Sequence, residues 1–166
     1  MDLTTNAQIR HYEHNANQTG RDFIVGDLHG MYEQFNQALT HLEFDQRVDR
    51  VFSVGDLIDR GPDNVNCALL LNQTWFHAVR GNHEQLMIDS VIGTDHEDVW
   101  IGNGGRWAFQ QITRNERIEI AKMFNQLPWV ITVGSGANRF NVCHAEMAFA
   151  PDITDDDIDA IKIGST

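Results

Sequence analysis

The most constraining stretch of the chain is Gly55-Asp56-Leu57-Ile58-Asp59-Arg60-Gly61. It follows the apolar run Arg50-Val51-Phe52-Ser53-Val54, whose β-branched and aromatic content reads as a buried strand. Two carboxylates and a guanidinium thus leave one strand end together, between glycines that permit sharp turns. Such a cluster is costly to keep in a fold unless it holds something charged. The unit recurs. Phe23-Ile24-Val25 runs into Gly26-Asp27-Leu28-His29-Gly30, and Trp75-Phe76-His77-Ala78-Val79-Arg80 runs into Gly81-Asn82-His83-Glu84. Strand after strand ends in glycine followed by an oxygen ligand (Asp27, Asp56, Asn82), which points to a metal site.

Helical patterns lie between these strands. Met31, Phe35, Leu39 and Leu42 repeat at helical spacing and predict an amphipathic helix packed on the sheet. Gly61-Pro62-Asp63-Asn64 opens a second helix, running to about Asn72, with proline in its first turn and Val65, Ala68, Leu69 and Leu70 facing inward. A third runs through Glu84 to about Val91. The first half therefore reads β-α-β-α-β-α, an α/β pattern with parallel strands and right-handed crossovers. In such sheets the ligand crevice lies outside the carboxyl ends of the strands, where all three motifs would converge. Asp27 and His29, two apart, point to the same side of an extended segment.

In the second half, Ile92 to Gln111 is rich in Gly, Asp and Trp and reads as a loop-helix excursion. On its own, Asn103-Gly104-Gly105-Arg106-Trp107 reads as a turn beside a packing aromatic. A helix from Arg114 to Leu127 is closed by Pro128. Trp129–Val133 and Arg139–Cys143, joined by Gly134-Ser135-Gly136-Ala137-Asn138, predict a hairpin, with His144 leaving its second strand. Residues 1–20 are a polar lead-in with a short strand near Gln8 to Tyr12, and residues 21–166 form a single domain. His11 and His14 are expected at the surface, because no third ligand lies near them. His41, His77 and His96 lack a partner pattern and are expected to be structural or exposed. The acidic stretch from Asp152 to Asp159 reads as the first turn of a short helix; it lacks the glycine and closing glutamate of a calcium-binding loop.

Composition narrows the function. The 166 residues carry 24 Asp and Glu against 12 Lys and Arg, a net charge of −12, which argues against nucleic acid as a partner. No apolar run approaches membrane-span length, and the polar N-terminus lacks the apolar core of a signal peptide. Cys67 and Cys143 are far apart and form no CxxC, so reduced thiols in a cytoplasmic protein are expected.

The motifs GDLHG, GDLIDRG and RGNHE, in this order and spacing, resemble the signature of the phosphoprotein phosphatase family of metallophosphoesterases. Together with Asn103-Gly104-Gly105 and Val142-Cys143-His144-Ala145, they resemble its bacteriophage lambda type over roughly residues 21–149. The resemblance implies a sandwich of two mixed β-sheets flanked by helices, and a dinuclear metal centre. Asp27, His29 and Asp56 would hold one ion and Asp56, Asn82 and His144 the other, with Asp56 as bridge. A mixed set of carboxylate, imidazole and amide oxygen suits Mn, Fe or Zn better than Ca, Mg or Cu. Such a metal pair acidifies a shared water for direct hydrolysis of a phosphate ester. His83 would protonate the leaving alkoxide of a phosphoserine or phosphothreonine, with Asp59 supporting its imidazolium form. Arg60 would bind two phosphate oxygens, beside Asn82, and Arg80 would support the site from behind.

After Val142-Cys143-His144-Ala145 the family pattern supplies a second phosphate-binding arginine and a further histidine ligand. Here Arg139 is the last arginine and His144 the last histidine. The second ion is therefore expected to keep three protein ligands and to bind more weakly, beside an exposed sheet edge. The implied activity is serine/threonine phosphoprotein dephosphorylation. One rival is a dinucleoside-tetraphosphate hydrolase of the same fold, which as a group lacks the aspartate of Asp-Arg-Gly that is Asp59 here. The other is an inactive metal-binding remnant.

Overall fold

The computed structural model describes residues 11–93 and 97–145. Six short strands form two sheets: β1 (His11–His14), β2 (Asp22–Val25), β3 (Arg50–Ser53), β4 (Phe76–Ala78), β5 (Val130–Val133) and β6 (Phe140–Cys143). The first sheet has the order β2-β3-β4 and is parallel throughout, as the alternating pattern requires. In the second, β1 runs parallel to β5, and β6 returns antiparallel to β5 as the expected hairpin. Crossovers between adjacent parallel strands need connecting elements, and α1 (Tyr32–His41) joins β2 to β3 while α2 (Asn64–Leu69) lies between β3 and β4; α3 (Asn82–Ile92) follows β4 and leads away toward the second sheet. The excursion contains α4 (Glu97–Trp100), a segment over Ile101–Gly105 kinked at Gly104, and α5 (Trp107–Gln110); α6 (Arg114–Phe124) leads into β5.

The strand registers explain the layers. Ile24, Phe52 and His77 lie in one row across the first sheet, and Phe23, Val51 and Phe76 in the next, on the opposite face. Phe52 joins Val79, Ile131, Val133 and Val142 in a small core between the sheets. Val51 and Phe76 join the larger core under the helices, with Phe35, Met87, Trp100 and Phe124. Burying such side chains stabilises the fold by about 1.5–3 kcal/mol each. Both faces of β3 are therefore covered, which fixes the strand end that carries Asp56.

Several expectations shift. The α1 stripe is narrower than its spacing suggests: Phe35 is buried, but Met31 and Leu42 are exposed at the two ends of the helix. Pro62 precedes α2 rather than joining its first turn, and Asp63 caps the helix by accepting the Asn66 N–H. Leu69 is exposed while Cys67 is buried, and burial pushes the Cys67 thiol up to about 12. The helix predicted from Arg114 to Leu127 stops at Phe124, short of Pro128; its start is secured by reciprocal hydrogen bonds between Thr113 and Glu116.

His11 and His14 belong to an integral strand rather than a loose lead-in. His11 Nε2 lies 2.8 Å from Thr132 Oγ1, and the His14 ring packs against Phe52 and His77. His77 is structural and His41 is exposed, as expected. Residues 8–10, His96 and the acidic 152–159 stretch lie outside the described residues. Among the described residues no helix is long and apolar enough to cross a membrane.

Candidate active site

The three glycine-ended strands deliver their motifs to one place. After β2 and β3 the chain turns back sharply, with positive φ at His29 (42°), Asp56 (51°), Asp59 (74°) and Arg60 (68°). Non-glycine residues in this region cost on the order of 1–3 kcal/mol each and persist only where the surroundings over-determine them. Here they do. The Leu28 and His29 N–H groups both donate to the Asp56 carbonyl (3.0 and 2.9 Å), and Gly30 N–H donates to the Leu57 carbonyl (2.9 Å). A Cβ on Gly61 would overlap the His29 carbonyl oxygen, so only glycine lets the two loops lie together.

Glu84, buried in the first turn of α3, fastens the same loop. Its carboxylate accepts from the backbone N–H groups of Asp56 (2.8 Å), Leu57 (2.9 Å) and Gly81 (2.8 Å). Burial, with the Asp56 charge beside it, pushes this carboxyl up to about 7 against the pull of those bonds. Asp56 is fixed from its other side by the His83 N–H, 3.0 Å from Oδ1.

The predicted ligands meet around Asp56. His29 Nε2 lies 3.8 Å from Asp56 Oδ2 and 3.9 Å from Asp27 Oδ2. His144 Nε2 lies 3.6 Å from Asp56 Oδ1 and 3.0 Å from Asn82 Oδ1. Asp27, Asp56 and His144 can present ligand atoms within 4.8 Å of one another, and so can His29, Asp56 and His83. Both outer histidines are tied through Nδ1, His29 to the Ile58 carbonyl and His144 to the Val54 carbonyl, each at 2.9 Å. A carbonyl only accepts, so each Nδ1 carries hydrogen and each ring turns its Nε2 toward the cluster. His144 Nε2 thereby faces Asn82 Oδ1 and Asp56 Oδ1. The donor set fits a divalent metal ion.

His83 has a different surrounding. Its ring is fully buried, with Nδ1 2.6 Å from Asp59 Oδ2 and Nε2 3.9 Å from Asp56 Oδ2. Burial works against its charged form, but the Asp59 hydrogen bond and the Asp56 and Asp59 charges outweigh it and raise the imidazole above its ordinary value. Among the described residues Nε2 has no hydrogen-bond partner. Asp59 also accepts the indole N–H groups of Trp100 at Oδ2 (2.8 Å) and Trp107 at Oδ1 (2.7 Å).

Two arginines at the motif ends make different contacts. Arg60 lies at the site, but its Nη1 donates to His29 Nε2 at 2.7 Å. Arg80 lies away from the ligands: it donates to Gln85 Oε1 and the Asn125 carbonyl and stacks over Trp129, tying α3 to the end of α6 and β5. Sequence reasoning missed three residues. Glu84 was part of a motif but read only as a helix start, and Trp107 only as packing. Trp100 carried no signal beyond its residue type, since its partner lies 41 positions away.

This fold and donor set define a metallophosphoesterase. The chain belongs to the calcineurin-like phosphoesterase family, whose model matches residues 23–164. It is 37% identical over 127 residues to "Serine/threonine-protein phosphatase 1" of Salmonella typhimurium, covering 75% of this chain and 58% of that protein. Identity to "Serine/threonine-protein phosphatase 2" of Escherichia coli is 34% over 139 residues, 82% of this chain and 63% of the other. The chain thus spans about three-fifths of the length of these relatives. A "Bis(5'-nucleosyl)-tetraphosphatase, symmetrical" of Pasteurella multocida matches at 33% over 73 residues, 43% of this chain and 26% of the relative. Among solved structures, one titled as a putative diadenosine tetraphosphatase superposes with a TM-score of 0.57 at 28% identity, covering 75% of this chain and 50% of that one.

Proposed function

We propose that this chain carries the metal- and phosphate-binding core of a serine/threonine phosphoprotein phosphatase. Asp27, His29 and Asp56 would hold one divalent ion and Asp56, Asn82 and His144 a second, with manganese, iron or zinc suited to this donor set. When bound, such ions supply an acidified water and withdraw charge from the phosphoryl oxygens.

The remaining work falls to the protein's own groups. Arg60 swings its guanidinium from His29 Nε2 to two phosphoryl oxygens, for which its planar fork is shaped. Asn82 fixes the phosphate side of the site next to His83. His83 donates the Nε2 proton to the leaving oxygen of serine or threonine, while Asp59 keeps hold of Nδ1–H. The observation that carries this reading is the buried Asp59–His83 pair with its unpartnered Nε2 facing the ligand cluster. An alkoxide is a poor leaving group and needs such a proton, whereas a nucleotide phosphate leaves far more readily. That distinction, and the longer matches at similar or higher identity, favour phosphatase over dinucleoside-tetraphosphate hydrolase. The excess of acidic side chains disfavours nucleic acid, and two free cysteines suit a reducing, cytoplasmic setting.

Calorimetric titration with Mn²⁺, alongside hydrolysis of a phosphoserine peptide, an aryl phosphate and a dinucleoside tetraphosphate, tests the reading. Two bound ions and preference for the peptide are expected, with Asp56→Asn abolishing turnover. Equal turnover in Asp56→Asn, or faster cleavage of the dinucleotide, would overturn it. Two bound ions without any hydrolysis would leave the inactive metal-binding remnant as the function.

A further inference from the structure

The environment of Asp59 carries a further inference, which rests on the phosphatase reading above. Asp59 has no exposed surface, yet it receives three N–H groups on two oxygens: His83 Nδ1 and Trp100 Nε1 on Oδ2, Trp107 Nε1 on Oδ1. An indole nitrogen can only donate. Two fixed donors occupy acceptor positions on both oxygens, which favours Asp59 as acceptor toward its third partner as well and so favours hydrogen on His83 Nδ1. Each oxygen also has its own indole, so the carboxylate plane cannot rotate without breaking a buried hydrogen bond. A single His–Asp contact would leave that rotation free.

The indoles are themselves placed by the kink at Gly104 in the segment between them. Gly105 passes so close to Trp100 that a Cβ there would lie 2.5 Å from its Nε1. Gly104 has φ +114°, and a Cβ there would crowd the Arg60 backbone nitrogen at 2.9 Å. The Gly-Gly pair thus lets the excursion settle on the Asp59-Arg60 turn with one indole entering from each side.

We propose that Trp100 and Trp107 are positioning residues for leaving-group protonation: their paired indole donors lock Asp59, which in turn sets the tautomer and aim of His83. In the step they serve, a water oxygen bonds to phosphorus as the P–O bond to the serine oxygen breaks, and the leaving oxygen takes the Nε2 proton of the imidazolium. The ring is left neutral with its remaining proton on Nδ1, and it regains the lost one from water.

The experiment uses Trp100→Phe and Trp107→Phe, which keep an aromatic ring but lose the donor, and Gly105→Ala, which displaces the Trp100 indole without removing it. Turnover of a phosphoserine peptide, whose alkoxide needs the proton, should fall about ten- to a hundredfold, a fraction of what general acids contribute. Turnover of p-nitrophenyl phosphate, whose leaving group needs no proton, should stay within about threefold, because the remaining machinery is untouched. Independently of turnover, imidazole ¹⁵N shifts followed to a pH at which the ring is neutral should show the remaining His83 proton on Nδ1 in the parent protein and a tautomer mixture in the variants. Equal losses on both esters, or a His83 tautomer unchanged by either tryptophan substitution, would overturn the proposal. If the parent protein hydrolyses neither ester, the phosphatase reading falls by itself, and the tautomer measurement still decides whether the indoles lock the pair.

Discussion

His77 and His83 stand a few residues apart on either side of one strand end, and both are withdrawn from water, yet their surroundings drive them in opposite directions. His77 stacks on Phe52 and packs against His14, and burial, with His14 and Arg50 nearby, lowers it to about 4. His83 meets Asp59 and Asp56, which raise it despite burial. Burial alone would lower both. The partner decides: an aromatic wall makes a histidine into a flat packing unit, and a buried carboxylate favours its charged form.

That contrast can be broken at its strong end first. His83→Asn keeps an N–H for Asp59 but has no ring nitrogen to donate, so phosphoserine peptide turnover should fall about 10²–10⁴-fold with the fold unchanged by circular dichroism. A loss below about tenfold would remove the distinction between the two histidines. Next comes the cradle that sets the loop beside His83. Glu84→Leu leaves three backbone donors buried without an acceptor, at about 1–3 kcal/mol each, so urea unfolding should show a loss on the order of 3 kcal/mol or more. The smallest effect belongs to His77. Its folded-state value lies below the ordinary 6.5, so between pH 6.5 and 4 the unfolded chain binds more protons than the folded one. Its stabilising contribution is therefore complete above pH 6.5 and is lost as pH falls toward 4. With its partial exposure discounted, this amounts to about 1–2 kcal/mol. Thermal unfolding across that range should flatten in His77→Phe, and an unaltered pH slope would show that the stack, not its protonation, controls this region.

Much of the fold was legible because strand, glycine and ligand are contiguous in the chain. Asp27, Asp56 and Asn82 announce themselves locally, and the parallel topology then requires them to meet. His144 was readable as another strand-end residue, and the structure brings its Nε2 to Asn82 Oδ1. Legibility fails where a contact joins distant segments through residue types with ordinary structural uses. A tryptophan in a glycine-rich excursion gives no sign that its N–H serves a carboxylate 41 or 48 positions earlier. Glu84 looks like the acidic start of any helix, yet its acceptors are spent on the neighbouring loop rather than on its own helix alone. The α1 stripe fails for a plainer reason: the ends of a short helix overhang the sheet that buries its middle.

In the metal site proposed above, the fastening of His29 and His144 by Nδ1 to the carbonyls of Ile58 and Val54 would bear on ion choice. Both rings are hinged to the backbone that brackets Asp56, so this loop and its two imidazoles form one stiff frame. An ion of larger radius could not be met by swinging either ring alone. The misfit would pass to Asp27, whose side chain is about half exposed at 47% and can shift on its stem. Reshaping the reach of that one carboxylate is thus the most direct way to retune which ion the frame prefers.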